Sequence, residues 1–322
     1  MEKRYIQDRA SLLADVAEMY YLEQKNQAEI AKAVGVTRSM ISRMLTEARE
    51  NGIVEIRIQR PLQSDPELEA ALKEHFGLKD AFVVVTNHRS GERLKRTLGS
   101  AGAQALKRYL APQKTLGLAW GTSISTTVDA FETSEPMPMK VVQLVGAMGA
   151  HNMEYDGHDL VARITEKLGG EAFYLNAPYL CQNAEMAKSL LETKSIRETI
   201  NVGKKTDVAL LGVGTTAPEY SSFYLAGYVT RRELDDLRKA GGVGDVCGLH
   251  FDINGQPACN DFCERLVSIR RPDLLSIPVR LGVAGGEGKA EAILGALRSK
   301  YINVLVIDSV TTRKLIDLAK SK

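Results

Sequence analysis

The sequence predicts an α/β protein in two parts. The first is a small N-terminal helix-turn-helix domain, winged-helix-like, and the second is a larger domain with a doubly wound, mostly parallel sheet. Three short helical patterns near the N-terminus predict the first part. Beyond them, near-continuously apolar strand patterns alternate with helical ones, which is typical of parallel sheets. Because 322 residues are also typical of two domains, we place the domains at residues 1–60 and 61–322.

The overall composition indicates a globular protein and excludes a membrane protein. Hydrophobic residues make up 44% and charged residues 25% of the chain, and no apolar run approaches the ~18 residues of a membrane span. The N-terminal residues lack the apolar core of a secretory signal, so we expect a cytoplasmic protein. A net charge of +2 does not indicate a nucleic-acid binder, although an average can hide a small DNA-binding module.

The four cysteines predict reduced thiols rather than disulfides. They form no CxxC pair, and a chain of this length needs no disulfide to hold its core. Cys259 and Cys263 would need a distant partner such as His250 to bind zinc, so we predict no metal site. No other cofactor is predicted.

The N-terminal part carries three helical patterns joined by short turns. Apolar residues recur at helical spacing over residues 8–22. Asn26 is a candidate N-cap for a second helix over residues 27–34. Thr37 is a candidate N-cap for a third helix that runs to about Asn51.

The spacing of small and apolar residues around the second turn is typical of a helix-turn-helix. Ala31 lets the two helices approach, Gly35 can adopt a positive φ, and Ile41 seats the third helix on the second. The outward face of the third helix carries polar side chains: Arg38, Ser39, Ser42, Arg43 and Thr46. Such a face can enter the major groove of DNA, where arginine contacts guanine and hydroxyl groups contact bases or phosphates.

A short strand or wing is predicted directly after the third helix. Isoleucines alternate with charged residues from Ile53 onwards, and Arg57 and Arg60 are available to phosphates. A module this small cannot hold a specific site alone, because specific complexes use paired half-sites. We therefore expect a homo-oligomer that binds operator DNA. The alternative is a three-helix interaction module whose charged face is only solvated.

A linker over residues 61–66 separates the two parts, and Asp65 can cap a helix that continues to Phe76. Further helical patterns cover residues 92–110, 159–168 and 287–300. Apolar runs predict the strands that alternate with helices: 81–85, 115–119, 140–145, 172–175, 207–213, 279–284 and 303–307. Ligands of such sheets bind beyond the carboxyl ends of the strands, where helix N-termini converge.

The stretch LGLAWGTSIS, residues 116–125, predicts an anion-binding turn between a strand and a helix. Gly121 lets an anion approach the backbone, while Thr122, Ser123 and also Ser125 offer hydroxyl groups. The helix dipole and the unpaired first amides favour negative charge here. The alternative is a hydroxyl-rich helix cap that holds no ligand.

A second loop of the same kind follows the strand at residues 279–284. Gly285 and Gly286 precede a helix, and Lys289 supplies a full positive charge that the first loop lacks. Two anion-seeking loops at the carboxyl edge of one sheet predict a phosphorylated small molecule as the ligand.

Neither glycine-rich segment of the larger part fits a nucleotide-binding motif. Five residues separate Gly282 from Gly288 where a P-loop has four, and Ala290 replaces the Ser or Thr that would bind magnesium. A loose dinucleotide fingerprint at residues 212–217 is followed by Pro218 and lacks an acidic residue at the end of a strand about twenty positions further on. We therefore predict neither an NTPase nor an NAD enzyme.

Asp252 lies in a turn, FDINGQ, and its carboxylate can accept hydrogen bonds from sugar hydroxyls. It is equally consistent with a solvated loop residue. It is also the one clear candidate for the carboxylate that a sugar-phosphate isomerase or deaminase needs near the sugar carbons. Such an enzyme with a DNA-binding appendage is the alternative function, but Asp252 has no evident partner, so we assign no catalytic residue.

These residues and motifs together resemble the SorC family of bacterial transcriptional regulators over essentially the whole chain. In the N-terminal part the resemblance rests on QAEIAKAVGVTRSMISRMLTEARENGIVEI. In the C-terminal part it rests on LGLAWGTSI, VVQLVGAMG, DVALLGVGT, GDVCGLHFDINGQ and RLGVAGGEGKAEAILGALRSKYINVLVID. The effector domain of this family is similar to sugar-phosphate isomerases and glucosamine-phosphate deaminases, which implies a Rossmann-like sheet. The resemblance also implies operator binding as a dimer or tetramer and phosphorylated sugars or polyols as inducers.

The resemblance further implies a role for individual residues. The implied DNA contacts are Thr37, Arg38, Ser39, Ser42 and Arg43. The implied effector contacts are the three residues of the phosphate loop and two further positions: Gly121, Thr122, Ser123, Asp252 and Lys289. Asp308 is left unassigned, because the strand ends VIDS where a Thr-Asp pair is common in the family. We therefore expect a regulator of a carbohydrate-catabolism operon, not an enzyme, whose operator affinity changes when the effector binds.

Overall fold

The structure, a computed structural model, describes residues 2–54, 56, 61–149 and 155–321, with side chains from residue 9 onwards. The chain divides into two compact units, Met1–Pro61 and Leu62–Lys322. None of the described helices is both long enough and apolar enough to cross a lipid bilayer.

The described residues of the N-terminal unit form three helices: α1 (Glu2–Tyr21), α2 (Gln27–Val34) and α3 (Arg38–Glu50). Both predicted caps are present. The Asn26 side chain accepts hydrogen bonds from the amides of Ala28 and Glu29, and the Glu29 carboxylate accepts one from the Asn26 amide, which completes a capping box. The Thr37 hydroxyl accepts from the Met40 amide at 3.3 Å.

The turn between α2 and α3 has the geometry that the sequence predicts. Gly35 has φ of 75°, in the left-handed region, and its amide donates to the Ala31 carbonyl at 3.0 Å. Ile41 is fully buried in a core that α1, α2 and α3 share. The predicted wing falls mostly outside the described residues: Ile53 and Val54 form a bend, whereas residues 55 and 57–60 are not described.

The larger unit contains all ten strands of the described chain and its other twelve α-helices. The strands are β1 (Asp80–Val84), β2 (Thr115–Leu118), β3 (Lys140–Gln143), β4 (Glu171–Phe173), β5 (Val208–Gly212), β6 (Gly214–Thr215), β7 (Gly244–Val246), β8 (Leu249–Phe251), β9 (Val279–Val283) and β10 (Val304–Asp308). The helices up to the midpoint are α4 (Pro66–Phe76), α5 (Gly91–Lys107), α6 (Thr122–Ala130), α7 (Gly157–Leu168), α8 (Ala184–Glu192) and α9 (Lys194–Gly203). The later ones are α10 (Ser222–Leu225), α11 (Arg231–Lys239), α12 (Asp261–Glu264), α13 (Arg271–Ser276), α14 (Ala290–Arg298) and α15 (Ser309–Ser321).

Seven of these strands form one parallel sheet in the order β1-β10-β9-β5-β2-β3-β4. All seven were predicted from their apolar runs, within a few residues at each end. Every residue of β2 and of β10 is buried, so both faces of the sheet are covered. The mostly parallel, doubly wound fold is therefore confirmed.

A second, antiparallel sheet, β6-β7-β8, was not predicted. Its strands have two or three residues each, which is too short for an alternating pattern to appear in the sequence. This small sheet begins directly after β5 and therefore lies at the carboxyl end of the large sheet.

The strand order reverses between β2 and β5. From β2 the chain moves outward to β3 and β4, whereas from β5 it continues to β9 and β10 on the other side. Open α/β sheets bind ligands at such a reversal, beyond the carboxyl ends of the strands. The loops after β2, β5 and β9 all meet at this edge.

The prediction of four reduced thiols is wrong for one pair, because the structure joins Cys259 and Cys263 in a disulfide. Cys259 lies just before α12, and one turn further on Cys263 lies beside it, with the two Cα atoms 5.9 Å apart. Cys181 and Cys247 are buried free cysteines.

Candidate functional site

The outer surface of α3 is the first candidate site. Its buried residues, Ile41, Met44, Leu45 and Ala48, fall on one face. All the residues predicted to contact DNA lie on the exposed remainder: Thr37, Arg38, Ser39, Ser42 and Arg43. The helix begins beside Thr37, so the residues of its first turn combine exposed side chains with the positive end of the helix dipole.

The two arginines of this surface have no salt-bridge partner among the described residues. In contrast, the neighbouring face of α3 is anchored to α1 by a salt bridge of 2.6 Å between Arg9 and Glu47, which lowers the pKa of Glu47. Arg38 and Arg43 are thus available to an external anion, while the helix that carries them is held in place.

The second candidate site begins where β2 ends. Gly121 has φ of 129°, a conformation that L side chains rarely adopt, and its amide donates to the Tyr155 carbonyl at 3.1 Å. α6 then begins at Thr122. The hydroxyls of Thr122 and Ser123 have no hydrogen-bond partner among the described residues, and the first-turn amides of a helix lack intrahelical partners. The start of α6 therefore presents several free donors.

The loop after β9 presents the predicted cation. The ammonium of Lys289 donates to the carbonyl of Val213, directly after β5, at 3.0 Å. Burial lowers the pKa of Lys289 below its ordinary value, whereas the nearby Asp245 carboxylate opposes this shift. Lys289 is therefore a desolvated cation, and an anionic ligand would relieve the cost of burying its charge.

Asp308, which we left unassigned from the sequence, fixes this loop. Its fully buried carboxylate accepts hydrogen bonds from the amide of Gly286 at 3.0 Å and from the amide and hydroxyl of Thr311. A side chain at Gly285 would come within 2.4 Å of the same carboxylate. The double glycine thus lets the loop close onto the end of β10.

The two loops line the same cavity. Its volume is about 490 Å³, and Thr122, Ser123 and Lys289 are all in its wall. A smaller cavity of about 50 Å³ adjoins it at these three residues and adds Gly121 and Asp245. The structure therefore brings together four of the five predicted effector contacts.

Asp252 is the exception, since it is absent from the described lining of both cavities. Its carboxylate accepts from the amides of Asn254 and Gln256 at 2.9 and 2.8 Å, so it stabilises its own turn. That turn packs beside Gly295, which lies about 9 Å along α14 from Lys289. We therefore remove Asp252 from the candidate site.

Ser125 also lies away from the cavity. It is buried, and its hydroxyl accepts a hydrogen bond from Arg163 of α7 at 3.2 Å. Ser125 follows Thr122 and Ser123 by two to three residues on α6, so the turn of the helix directs it to a different side.

Sequence reasoning missed most of the remaining wall. Asp245, on β7, lines the smaller cavity near Lys289, and no sequence pattern predicts this position. The hydroxyl of Tyr228 is buried without a hydrogen-bond partner, and Tyr228 lines the larger cavity together with Trp120 and Tyr220. Nothing in the local sequence marks these residues, because the segments that carry them are short or irregular.

The comparisons with known proteins match both units of the chain to families. Residues 60–317 match the Sugar-bind family, a sugar-binding domain, and residues 26–54 match the crp family of bacterial regulatory proteins. The chain is 30% identical to the sorbitol operon regulator of Klebsiella pneumoniae over 96% of this chain and 98% of that protein. It is 29% identical to the deoxyribonucleoside regulator of Bacillus subtilis, again over 96% and 98%.

The solved structure of the full-length regulator SorC from Klebsiella pneumoniae matches with a TM-score of 0.73 at 30% identity, over 95% of this chain and 98% of that one. A helix-turn-helix and a sugar-binding domain thus occur in one chain in the order that these regulators have. The chain belongs to the SorC family of DNA-binding, sugar-responsive transcriptional regulators, and it is a regulator rather than an isomerase or deaminase.

Proposed function

We propose that this protein regulates a carbohydrate-catabolism operon and that a phosphorylated sugar or polyol controls its binding to operator DNA. Residues 1–60 bind the operator through α3, and residues 61–322 bind the effector and mediate assembly into a homo-oligomer. The relatives that are named for sorbitol and deoxyribonucleosides support a polyol, sugar or sugar-derived effector. A protein that acts on bacterial operator DNA works in the cytoplasm, so the proposal includes this location.

The single observation that carries the effector class is the shared cavity of Thr122, Ser123 and Lys289. Two free hydroxyls, the amides at the start of α6 and a desolvated ammonium together form a site for a compact dianion. A neutral sugar would leave only the Asp245 carboxylate to offset the buried charge of Lys289. The phosphate group therefore belongs at the junction of the two cavities.

The rest of the cavity suits a polyhydroxylated carbon chain. Asp245 can accept hydrogen bonds from hydroxyls, and the unpartnered Tyr228 hydroxyl can donate or accept one. Trp120 adds an aromatic surface for C–H groups, and its ring packs edge-on against Phe223 at 5.1 Å between centroids. A wall that combines apolar surface with polar groups that can orient the ligand is typical of small-molecule sites.

Regulation follows if the effector binds one arrangement of the oligomer more tightly than another. Paired recognition helices must match two half-sites, so a change in their spacing changes operator affinity. A coupling free energy of about 1–3 kcal/mol would change that affinity roughly 5–150-fold. Effector that left operator affinity unchanged at fixed salt would contradict the proposal, with the salt held constant because phosphate contacts are salt-dependent.

The effector class is tested by thermal unfolding of the full-length protein with matched pairs of free and phosphorylated sugars and polyols. A ligand at a hundred times its Kd adds about 2.7 kcal/mol to stability, which raises Tm by roughly 4–5 °C for a chain of this length. We expect only phosphorylated compounds to raise Tm, and Lys289→Ala to abolish the rise. Lys239→Ala is the matched control, because Lys239 is exposed on α11, where it pairs with Asp236. A rise with unphosphorylated compounds alone would refute the phosphate assignment.

A further inference from the structure

We propose that His250, Cys259 and Cys263 form a binding site for a thiophilic divalent cation, Zn²⁺, that is separate from the effector cavity. Their ligand atoms (one imidazole nitrogen and two sulfurs) all lie within 4.8 Å of one another. The sequence named His250 as the distant partner that Cys259 and Cys263 would need, and the fold brings the three together.

The backbone places Cys259 beside the end of β8. The amide of Ala258 donates to the carbonyl of His250 at 3.2 Å, and Pro257 forms a bridge with Phe251. The chain that leads to Cys259 therefore runs antiparallel to β8, so residue 259 follows directly from a paired segment.

The short helix α12 then returns Cys263 to the same point. Asn260 caps α12 by accepting from the Phe262 amide at 3.1 Å, and the Cys263 amide donates to the Asn260 carbonyl at 3.0 Å. One turn of helix separates the two cysteines, which brings their side chains together. The spacing Cys-x3-Cys is thus turned into a pair of neighbouring sulfurs.

The imidazole of His250 is held against this pair. It is buried, its Nδ1 lies 2.9 Å from the Gly248 carbonyl and 3.5 Å from Sγ of Cys263, and its ring packs edge-on to Phe262. When Nδ1–H donates to this carbonyl, Nε2 is the nitrogen left to bind the metal, and a carbonyl on the other ring nitrogen is a common outer-shell partner that fixes the ring orientation.

The donor set suits zinc rather than magnesium or calcium. Two thiolates neutralise the charge of Zn²⁺, and imidazole is its other preferred ligand, whereas the hard cations require oxygen ligands. Cys259 is exposed, so a water molecule can complete four-fold coordination. The cation would fasten the segment around α12 to β8.

The disulfide seen in the structure and the metal site use the same sulfurs and therefore exclude each other. Thiol–disulfide exchange with a low-molecular-weight thiol gives two protein thiols and oxidises the reagent to its own disulfide, so electrons and protons balance. Zn²⁺ then displaces the two thiol protons. A reducing compartment keeps such a pair reduced, and there a paired-cysteine pattern favours metal binding.

None of the three ligands belongs to the described lining of the cavities around Lys289. They line a different cavity of about 820 Å³ together with Glu185 and Glu264. Metal binding can therefore be measured without reference to the effector.

The test uses the untagged full-length protein, reduced with a phosphine that adds no thiol and then titrated with Co²⁺ as a spectroscopic substitute for Zn²⁺. We expect one Co²⁺ per chain, a thiolate-to-cobalt charge-transfer band, and displacement of Co²⁺ by Zn²⁺. Cys259→Ser should weaken Zn²⁺ binding by more than about 100-fold, since even outer-shell partners contribute 10–100-fold. Cys259 is exposed, so this variant is expected to fold, which its thermal unfolding will verify.

Cys181→Ala is the matched control and should bind Co²⁺ like the parent protein, because Cys181 is buried in a separate cluster with Leu175 and Ile196. His250→Gln should keep thiolate absorption but change the d–d spectrum and lower the affinity. The proposal is overturned if the reduced protein binds no Co²⁺ or if Cys259→Ser and Cys263→Ser bind it unchanged. It is equally overturned if the band disappears only when Cys181 is replaced.

Discussion

Asp308 accepts a hydrogen bond from the backbone amide of Gly286 at 3.0 Å, so a carboxylate at the end of β10 determines the path of the loop that leads to Lys289. The carboxylate is fully buried and also accepts from Thr311. This contact explains how an acidic residue that never lines the cavity can still control the position of its cation.

Replacing Asp308 should therefore affect both stability and effector binding. In Asp308→Asn the amide nitrogen faces donors instead of acceptors, so we expect a loss of about 1–3 kcal/mol in the free energy of unfolding. Denaturant titration measures this loss, and effector titration of the folded variant should show weaker binding. Thr311→Ser keeps the hydroxyl that contacts Asp308 and should cost about 1 kcal/mol with little effect on effector affinity. If both variants lost the same stability and the same effector affinity, Asp308 would not have the proposed role in positioning the loop that leads to Lys289.

Effector affinity should fall as pH rises through the lowered pKa of Lys289. Above about pH 7 the effector phosphate is already dianionic, so the lysine is the group in the pair that changes charge. The stability of the unliganded protein should change with pH in the opposite direction. Because the folded pKa lies below the unfolded value, stability rises with pH from the folded pKa up to the unfolded one.

Calorimetric titrations between about pH 7 and pH 10 measure this dependence. Lys289→Arg provides the control, since a guanidinium stays protonated throughout this range. Its effector affinity, whatever its value at neutral pH, should be independent of pH. If effector affinity fell equally with pH in the parent protein and in Lys289→Arg, a group other than Lys289 would be responsible.

Tyr228→Phe should separate binding from stability. The Tyr228 hydroxyl is buried without a described partner, so its removal costs no hydrogen bond in the unliganded protein. We expect unchanged or slightly higher Tm and an effector affinity lower by about tenfold, the value of one hydrogen bond of ~1.4 kcal/mol. Tyr109→Phe should instead lower Tm and leave effector affinity unchanged, because the Tyr109 hydroxyl donates to Asp80 at 3.3 Å and lies outside the cavity. Unchanged effector affinity in Tyr228→Phe would remove this tyrosine from the proposed site.

Arg43 and Arg38 should contribute differently to operator binding. Arg43→Ala should weaken specific binding by about 1–3 kcal/mol if it contacts guanine, and Arg43→Lys should not restore discrimination, because lysine lacks the two-pronged geometry. Arg38 lies at the start of α3, so Arg38→Ala should reduce the salt dependence of binding by about one phosphate contact. Fluorescence anisotropy on operator and scrambled DNA at several salt concentrations distinguishes these effects. Lys239→Ala, which removes an equal charge from α11, should change neither the specific affinity for the operator nor the salt dependence of binding.

Patterns that depend on neighbouring residues were predictable from the sequence. Asn26 and Thr37 cap α2 and α3 as expected, since a cap is a contact within three residues. The seven parallel strands were visible because strands buried on both faces are continuous apolar runs. The double glycine and Lys289 indicated the second anion loop for the same reason, as a glycine-rich turn between a strand and a helix is a local feature.

Contacts between distant segments had no local signal. Asp245 and Asp252 lie only seven residues apart, but the pairing of β7 with β6 and β8 puts Asp245 at the cavity, whereas Asp252 lies in the turn after β8, outside it. His250 meets Cys259 and Cys263 through the bridge between Phe251 and Pro257. The sequence by itself determined the two domain types, the helix that we propose reads the operator and the two loops that we propose bind an anion, because these follow from short-range periodicity and turn chemistry. The tertiary structure decided which side chains share a cavity, because that depends on strand order and packing across more than a hundred residues.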